Sequence, residues 1–525
     1  MRKSFTQEMS WLHTWAGLIM GWLLVPVFLT GSLCVFWHEI TVWARPEAHA
    51  VHLAPHSEMV RSSLDYLEAN APKSRTWQIF LPFDSRNPVV TLIWKDPKGK
   101  TQVREWIPDV TPRPIETQTR GGKVFVDFHW ILNPYSSRSP DKANFGLMLI
   151  GAVGLGFLVS CVTGVVVHKR IFKDFFVFRP GAKSRQRKWL DAHNVLGVLP
   201  FPFHVMIVVT GLAYYCFLYS PAGLNVLYDG HYSGMRADMH ADQYTSIKGV
   251  TPGAPAPLTP IQPLLDRTEA AFGKDTISLI SIRDPGRANA VVEMSRRSDD
   301  IVALSGRLKM TYDGVSGALI RSVTAIPPAR NTWDVLSALH FAFFGGAVMR
   351  WLYLACGLAG TAMMASGLVL FTVKREEKSG PAEKGFYAVV ARLNVASVAG
   401  ICLACAGYMW GMRLLPLKMA HRADWEVNIF LLVWAAALVH ALIRRPQKGW
   451  VEQLAAAAGL CIALPVSGFL VPNSSLPAMI AFGDWRTAGV DLTAIVLGLI
   501  LAYTAYKISG HKLQPVLDAR SPVAA

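Results

Sequence analysis

Seven histidines stand in or at the ends of long apolar segments, where ionisable side chains are rare and usually functional. Three lie at one end of these segments, three lie at the other end, and one lies deeper. They are His13, His168 and His193 at the first level, His38, His129 and His340 at the second, and the deeper His204. Iron in b-type haem binds two axial imidazole nitrogens from facing helices. The pattern therefore predicts haem b, with two haem groups at two depths of a helical bundle.

The alternative is that the same histidines bind zinc or copper ions. Zinc sites prefer tighter clusters with cysteine or carboxylate ligands, and few acidic residues lie in the apolar segments. Copper sites favour sulfur ligands, whereas Met206, Met363 and Met364 are scattered along the chain. Glycines within the segments, Gly31 and Gly164 among them, are predicted to give clearance to a porphyrin ring. These features favour haem over a metal-ion path.

Other candidate groups are fewer. Arg350 follows His340 by ten residues at a predicted membrane interface. It is a candidate for binding a haem propionate or another anion, the alternative being a side chain that only extends to the interface. The segment Gly151–Gly156 has the letters of a dinucleotide-binding loop, but it lies within an apolar run and no strand precedes it. We therefore expect no flavin or nucleotide site. If the haem groups carry electrons, a separate molecule must donate them.

Membrane-spanning helices are the elements that must position these histidines. The chain of 525 residues is 52% hydrophobic and only 17% charged, which excludes an ordinary soluble protein of this size. Apolar runs of roughly 20 residues are typical of membrane spans. We expect eight spans, at about 13–37, 145–168, 193–219, 350–373, 386–411, 426–443, 450–472 and 485–507.

Positive charge sets the predicted orientation. The net charge of +16 indicates loops that collect lysine and arginine on the cytoplasmic side, and no nucleic acid is expected as a partner. The loop at 169–190 is the clearest case, because it holds eight basic residues between Lys169 and Lys188 and one acid, Asp174. We expect this loop and both termini to be cytoplasmic.

Two long polar inserts, at 39–144 and 220–349, are then expected on the outer side. Each opens with a helical pattern and continues with strand-like alternation, which predicts two small α+β domains. None of the seven cysteines lies in the inserts, so no disulfide framework is expected. The other predicted boundaries are a first transmembrane helix at 1–38, helices two and three at 145–219, a fourth helix at 350–376, a four-helix region at 385–510 and a cytoplasmic tail at 511–525.

An internal repeat relates the two halves of this arrangement. The related positions are His13 and His193, Thr30–Gly31 and Thr210–Gly211, His129 and His340, and Thr163–Gly164 and Ser366–Gly367. The first two pairs are separated by 180 residues. The repeated unit is a helix, an outer domain, a histidine-bearing segment and a second helix. Duplicated units in membranes often pack about an axis along the bilayer normal.

Five segments resemble the PepSY-associated transmembrane family over about residues 5–376. They are WLHTWAGL, LTGSL, SCVTGVVVHKRIFKDFFVFRPG, RKWLDAHNVLGVLPFPFHVMIVVTGL and LHFAFFGGAVMRWLYLACGLAG. The resemblance implies a bacterial inner-membrane protein with two outer PepSY-like domains, and some members of the family are ferric-siderophore reductases that carry b-type haem. It also implies that His13, His129, His193 and His340 belong to the family's histidine set. His168 and His204 are typical of its longer members.

The expected fold is mainly α and polytopic. A duplicated helix–PepSY-like domain–helix unit forms a four-helix core, with two periplasmic α+β domains and four additional C-terminal transmembrane helices, whose role the sequence does not indicate. The expected function is transfer of electrons across the bilayer from a quinol or a cytoplasmic reductase to a periplasmic ferric siderophore. The alternatives are a scaffold or regulator whose outer domains bind peptides or proteins, and a siderophore or metal transporter.

Overall fold

The computed structural model describes residues 4–49, 51–82, 87–108, 113–135, 145–168, 184–231, 234–235, 250–297, 308–325, 328–342, 344–376, 381–471 and 473–510. The greater part of the predicted cytoplasmic loop at 169–190 and the whole tail at 511–525 lie outside these residues. The chain forms two compact units. The first is Met1–Ala44, Gln118–Leu218 and Arg350–Ala525, and the second is Arg45–Thr117 and Tyr219–Met349.

Helices dominate the described chain. In chain order they are α1 (Phe5–Cys34), α2 (Trp37–Trp43), α3 (His56–Asn70), α4 (Lys123–Ile131), α5 (Phe145–Val167), α6 (Arg185–Val198), α7 (Phe201–Ala213), α8 (Cys216–Tyr219), α9 (Ala222–Tyr228), α10 (Gln262–Phe272), α11 (Pro328–Phe341), α12 (Gly346–Glu376), α13 (Pro381–Leu414), α14 (Arg422–Ile443), α15 (Pro446–Ala463), α16 (Leu476–Ala481) and α17 (Trp485–Ser509). A 3₁₀ segment, Leu464–Leu470, continues α15.

Seven of the described helical segments are long and apolar enough to cross a membrane. They are Phe5–Cys34, Phe145–Val167, Gly346–Arg375, Lys384–Leu414, Arg422–Ile443, Pro446–Leu470 and Trp485–Ser509. Seven of the eight predicted spans coincide with them, and the chain is a polytopic membrane protein. The span predicted at 193–219 is instead the pair α6 and α7, bent by 63°. Pro200 and Pro202 stand at this break, where the missing N–H groups and the ring interrupt helical hydrogen bonding.

The described residues of the second unit form one antiparallel sheet. Its strands are β1 (Thr76–Phe80), β2 (Val90–Lys95), β3 (Thr101–Ile107), β4 (Arg113–Pro114), β5 (Ile277–Arg283), β6 (Val291–Arg296), β7 (Lys309–Asp313) and β8 (Leu319–Val323). The spatial order is β4-β3-β2-β1-β5-β6-β7-β8. Both polar inserts thus contribute to one sheet, whereas the sequence predicts two small domains.

The pairing of β1 with β5 joins the two inserts at the centre of this sheet. Ile79 stands opposite Ile280 in the antiparallel register. Both side chains are fully buried and share a core with Leu67 of α3 and Leu265 of α10. The pairing also satisfies the backbone groups of two strands that would otherwise be open edges. Each insert therefore supplies one helix and four strands, in the same order, to a common core.

Within the first unit, α13 ties the C-terminal helices to the histidine-bearing ones. The Trp22 indole of α1 donates to Asn394 Oδ1 of α13 at 2.8 Å, and Asn394 Nδ2 donates to the Leu368 carbonyl of α12 at 3.0 Å. Tyr408 of α13 donates to the carbonyl of Gly121 at 2.6 Å, next to the start of α4. The last helices therefore pack directly on α1, α4 and α12.

A buried ion pair reinforces this contact. Arg422 and Glu426 are both fully buried, with Nη1 and Oε1 2.5 Å apart. Arg422 also donates to the carbonyl of Gln118 at 2.9 Å. Glu426 Oε2 accepts the Thr119 hydroxyl at 2.8 Å and the Arg120 backbone N–H at 3.0 Å. The pair therefore anchors the segment that leads into α4, which carries His129.

The substitution Glu426→Gln tests how much this ion pair contributes to stability. We expect the free energy of unfolding to fall by about 3–5 kcal/mol, because the charge of Arg422 stays buried without its counter-ion. Equilibrium unfolding in mixed detergent micelles measures the loss. Glu452→Gln is the matched control, since it removes an ion pair with Arg444 whose side chains are 35% and 48% exposed; its loss should be much smaller. Equal losses for the two variants would contradict this account of the anchor.

Candidate functional site

Three histidine rings of the first unit share one local arrangement. Each bonds to the backbone of a residue on another helix, and the glycine four positions after that residue lies against the ring. The sets are His13 with Ser160 and Gly164, His129 with Val27 and Gly31, and His193 with Met363 and Gly367. A fourth ring, His204, approaches the backbone of Cys356, and Gly360, four positions after Cys356, lies against its Nε2. Residues four apart share a helix face, so each glycine leaves space for the ring to reach the carbonyl.

The hydrogen bonds fix the form of the imidazole. Nδ1 lies 3.0 Å from the Ser160 carbonyl in His13, 2.8 Å from the Val27 carbonyl in His129, and 2.8 Å from the Met363 carbonyl in His193. A carbonyl can only accept, so Nδ1 carries the proton. In a neutral imidazole the lone pair is then on Nε2. Burial lowers the pKa of His129, against the opposing effect of its bond to Val27, so this ring is neutral near pH 7.

The glycines are sterically required at these positions. A methyl group would lie 2.6 Å from His129 at Gly31, 2.9 Å from His204 at Gly360, 3.0 Å from His193 at Gly367 and 3.2 Å from His13 at Gly164. Any larger residue would push the ring away from its carbonyl. The sequence predicts Gly31, Gly164 and Gly367, but not Gly360, as clearance for a porphyrin, and in the structure all four lie against imidazoles.

A hydroxyl precedes three of the four glycines. Ser366 Oγ donates to the Met363 oxygen at 2.7 Å. Thr30 and Thr163 donate at 2.8 Å and 2.7 Å to the carbonyls one residue earlier, and make longer contacts of 3.2 Å and 3.3 Å with the Val27 and Ser160 oxygens. We name the pairs Thr30–Gly31, Thr163–Gly164 and Ser366–Gly367 the hydroxyl–glycine notches. Each notch places a hydroxyl and a glycine beside the carbonyl that accepts the imidazole N–H. The spacing of these pairs in the repeat was the sequence signal for this arrangement, although it did not reveal their role.

His13 and His193 face each other. Their ring centroids are 6.3 Å apart, with the rings inclined by 71°. Two imidazoles on opposite sides of one metal place their centroids about 6 Å apart, because each metal–nitrogen bond is about 2 Å and each ring centre lies about 1 Å beyond. With Nδ1 of both rings bound to carbonyls, Nε2 is the available ligand atom of each. The pair fits the axial ligands of a haem iron.

His204 is a further ligand candidate. Its ring is 1% exposed and contacts the rings of Phe28, Phe157 and Phe203 at centroid distances of 6.1–6.2 Å. No described residue partners its buried Nε2. A buried ring nitrogen without a partner is unfavourable. This atom therefore also suits a bond to a group other than the protein, such as a metal ion or a cofactor.

The histidines lie at distinct heights. Gly31, which seats His129, is 18 residues beyond His13 on α1, about 27 Å at 1.5 Å per residue. Gly360, which seats His204, is seven residues before Gly367 on α12, about 10 Å. The first unit therefore presents imidazoles near both ends of its long helices and at an intermediate level.

The remaining candidates have other surroundings. His38 lies on α2 with its ring centroid 3.6 Å from that of Trp37, and His168 directly follows α5. His340 lies on α11, in the second unit. Arg350 bonds to Glu39 at 2.5 Å and lies over the Phe36 ring at 4.9 Å. The haem roles of these residues, including the anion role of Arg350, stay predictions.

Sequence reasoning missed a buried polar cluster at α2, α13 and α17. Arg413 is 6% exposed and stacks on the Trp43 ring at 3.9 Å. None of its guanidinium nitrogens has a hydrogen-bond partner among the described residues. The Trp43 indole donates to Asp491 Oδ1 at 2.9 Å. The available signal was a charged residue within each of two apolar spans.

Gly31→Ala in α1 and Gly459→Ala in α15 test the seating of the imidazole. Gly31→Ala should lower the free energy of unfolding by roughly 1–3 kcal/mol, because the new methyl group displaces His129. At Gly459 nothing lies within 4 Å of the new methyl group, so Gly459→Ala should be neutral or should stabilise the helix by up to about 1 kcal/mol. Thermal unfolding in detergent measures both variants. A stabilising Gly31→Ala would show that His129 does not need the notch.

Comparison with known proteins places the chain in a family. Residues 10–374 match the family described as the PepSY-associated TM region. The chain is also 25% identical over 388 residues to the uncharacterized protein PA4219 of Pseudomonas aeruginosa, in an alignment that covers 69% of this chain and 90% of that protein. The matched region contains all seven candidate histidines and ends before the last four candidate spans. The chain therefore belongs to the family of proteins with a PepSY-associated transmembrane region.

Proposed function

We propose that the protein is a haem-b-containing electron-transfer protein of the bacterial inner membrane that reduces periplasmic ferric siderophores. The observation that carries the proposal is the His13–His193 pair, whose ring centroids are 6.3 Å apart and whose Nδ1 atoms are both bound to carbonyls. Haem b, when bound, supplies a one-electron carrier. Nε2 of His13 and Nε2 of His193 are the atoms that would hold one such group.

The surrounding residues orient these ligands. The carbonyls of Ser160 and Met363 hold the rings in one tautomer and in one rotational position. Bonds of this kind also raise the basicity of the ligating nitrogen. Gly164 and Gly367 allow the close approach, and so the four residues act as a support for the two imidazoles.

A second position is expected near the other end of α1. His129, seated at Gly31, is the ligand candidate there, and His340 is its counterpart in the sequence repeat. His204, with its unpartnered Nε2, is the candidate at the intermediate level. His38 and His168 remain further candidates. Two haem groups at separate heights would divide the bilayer into shorter electron-transfer steps.

The proposed orientation in the membrane rests on charge. Basic residues stand in the last turns of α12 and α17, at Lys374, Arg375 and Lys507, which favours cytoplasmic helix ends and cytoplasmic termini. The second unit, to which each polar insert contributes one PepSY-like half, then lies in the periplasm, in a duplicated helix–insert–helix architecture. Electrons enter from a quinol or a cytoplasmic reductase. One electron converts one ferric ion of the siderophore to ferrous iron, whose lower charge weakens its attraction to the siderophore oxygens.

The absorption spectrum of the purified protein tests the cofactor. We expect a Soret band, which any bound haem gives, and an α-band that sharpens on reduction with dithionite, which is typical of low-spin haem with two histidine ligands. His13→Ala and His193→Ala should each remove one haem's share of the absorbance, while His421→Ala, at a side chain that is 83% exposed, should leave it unchanged. A folded but colourless protein would favour a scaffold or a transporter.

Reductase activity tests the substrate. Proteoliposomes that contain an internal reductant and a ferric hydroxamate outside should form ferrous iron, detected with a ferrous-specific chelator. His193→Ala should abolish this activity at equal protein incorporation, since the transmembrane path loses a ligand. If a preparation with normal haem absorbance did not reduce the ferric hydroxamate, the proposal of an electron carrier would stand and the ferric siderophore would be rejected as its substrate.

A further inference from the structure

A second group of ligand-type side chains lies in the second unit, apart from all the residues discussed above. His56 is the first residue of α3, Glu269 lies on α10, and Asp275 lies in the turn between α10 and β5. The ligand atoms of the three side chains are all within 4.8 Å of one another. The two polar inserts contribute jointly to the group, since His56 comes from the first insert and the two acids come from the second.

The atoms of this group converge without bonding to each other. His56 Nδ1 lies 3.3 Å from Glu269 Oε1 and 3.8 Å from Asp275 Oδ1. Among the described residues, the buried Nδ1 has no hydrogen-bond partner. An imidazole nitrogen without a hydrogen bond, within 4.8 Å of two carboxylate oxygens that also lie within 4.8 Å of each other, offers three lone-pair donors to one cation.

The spacing suits a metal ion of ordinary size. Nitrogen and oxygen atoms bound to one ion at about 2.1 Å lie about 3.0–3.4 Å from each other. The observed 3.3 Å is within this span, and the 3.8 Å separation needs only a small movement of Asp275, whose side chain is 56% exposed. The same exposure provides an entry path and leaves coordination positions open to water.

The donor set selects the class of ion. One imidazole with two carboxylates suits zinc, manganese or ferrous iron, whereas calcium and magnesium prefer oxygen ligands alone and cuprous copper prefers sulfur. Two carboxylates balance the charge of a divalent ion. The Asp275 backbone N–H donates to Glu269 Oε1 at 3.1 Å, so this contact holds the two acids together in the way that outer-shell bonds orient metal ligands.

We propose that His56, Glu269 and Asp275 form a binding site for a divalent transition-metal ion that joins α3 to α10 in the second unit. The site does not depend on the proposed haem function, because each of its contacts lies within the second unit. Binding would connect the two polar inserts at a point separate from the β1–β5 pairing. Metal binding then adds stability to this unit in proportion to the logarithm of the free metal concentration.

Calorimetric titration tests the site. The untagged full chain, as purified and then stripped of loose metal with EDTA, is titrated with Zn²⁺ and separately with Mn²⁺, and thermal unfolding is followed with and without each ion. We expect saturable binding and a rise in the unfolding temperature. His56→Ala and Asp275→Asn should each weaken binding at least tenfold and remove the thermal shift. His52→Ala, at an exposed histidine in the same unit, should change neither.

The controls separate misfolding from loss of the ligand. Asp275 is largely exposed, so Asp275→Asn keeps the fold even if His56→Ala disturbs α3, and the circular dichroism of each variant reports on its helices. Close approach of the three side chains without a metal ion is the competing account, and it predicts no saturable binding. Absence of saturable binding of both ions, or equal binding by wild type and by both variants, would overturn the proposal.

Discussion

The hydrogen bond from an imidazole Nδ1–H to a backbone carbonyl, made beneath a glycine, is the constraint on which the first unit depends. A carbonyl in the middle of a helix already accepts an N–H from the residue four positions on. It takes a second donor only where the neighbouring surface is open, and Gly31, Gly164 and Gly367 provide that opening. The result is a ring whose position is set by backbone atoms of a long helix rather than by flexible side chains. Each of these bonds also joins two helices.

The C-terminal helices act on the same arrangement from outside. They lie beyond the region that matches the family, yet they contact α1, α4 and α12 through Asn394, Tyr408 and the buried Arg422–Glu426 pair. Phe128 of α4, next to His129, packs against Phe430 and Trp434 of α14. A buried pair is weak evidence for net stability, but it is strongly specific, because any shift leaves a charge unpaired. The appended helices therefore restrict where α4 can lie.

Local patterns in the sequence were sufficient for most of the membrane-spanning helices, and the haem roles of the chosen histidines stay predictions. Apolar runs predicted seven spans correctly, and the repeat singled out Thr30–Gly31, Thr163–Gly164 and Ser366–Gly367 before their contacts were known. The bend at Pro200, the joined sheet and the Arg350–Glu39 bond were not predicted. Each depends on contacts between distant parts of the chain, which periodicity does not report. The cluster of His56, Glu269 and Asp275 was missed for the same reason, since more than 200 residues separate its first member from the others.

The pairing of β1 with β5 constrains the path of the chain through the bilayer. Neighbouring strands of one sheet must lie in the same aqueous compartment, so an even number of crossings separates Phe80 from Ile277. The span α5 accounts for one crossing. The bent pair α6–α7 must then supply the return passage. A re-entrant hairpin, which leaves the membrane on the side that it entered, would place the two halves of the sheet on opposite sides of the membrane. Strand pairing thereby decides the topology of a helix pair that hydropathy alone leaves open.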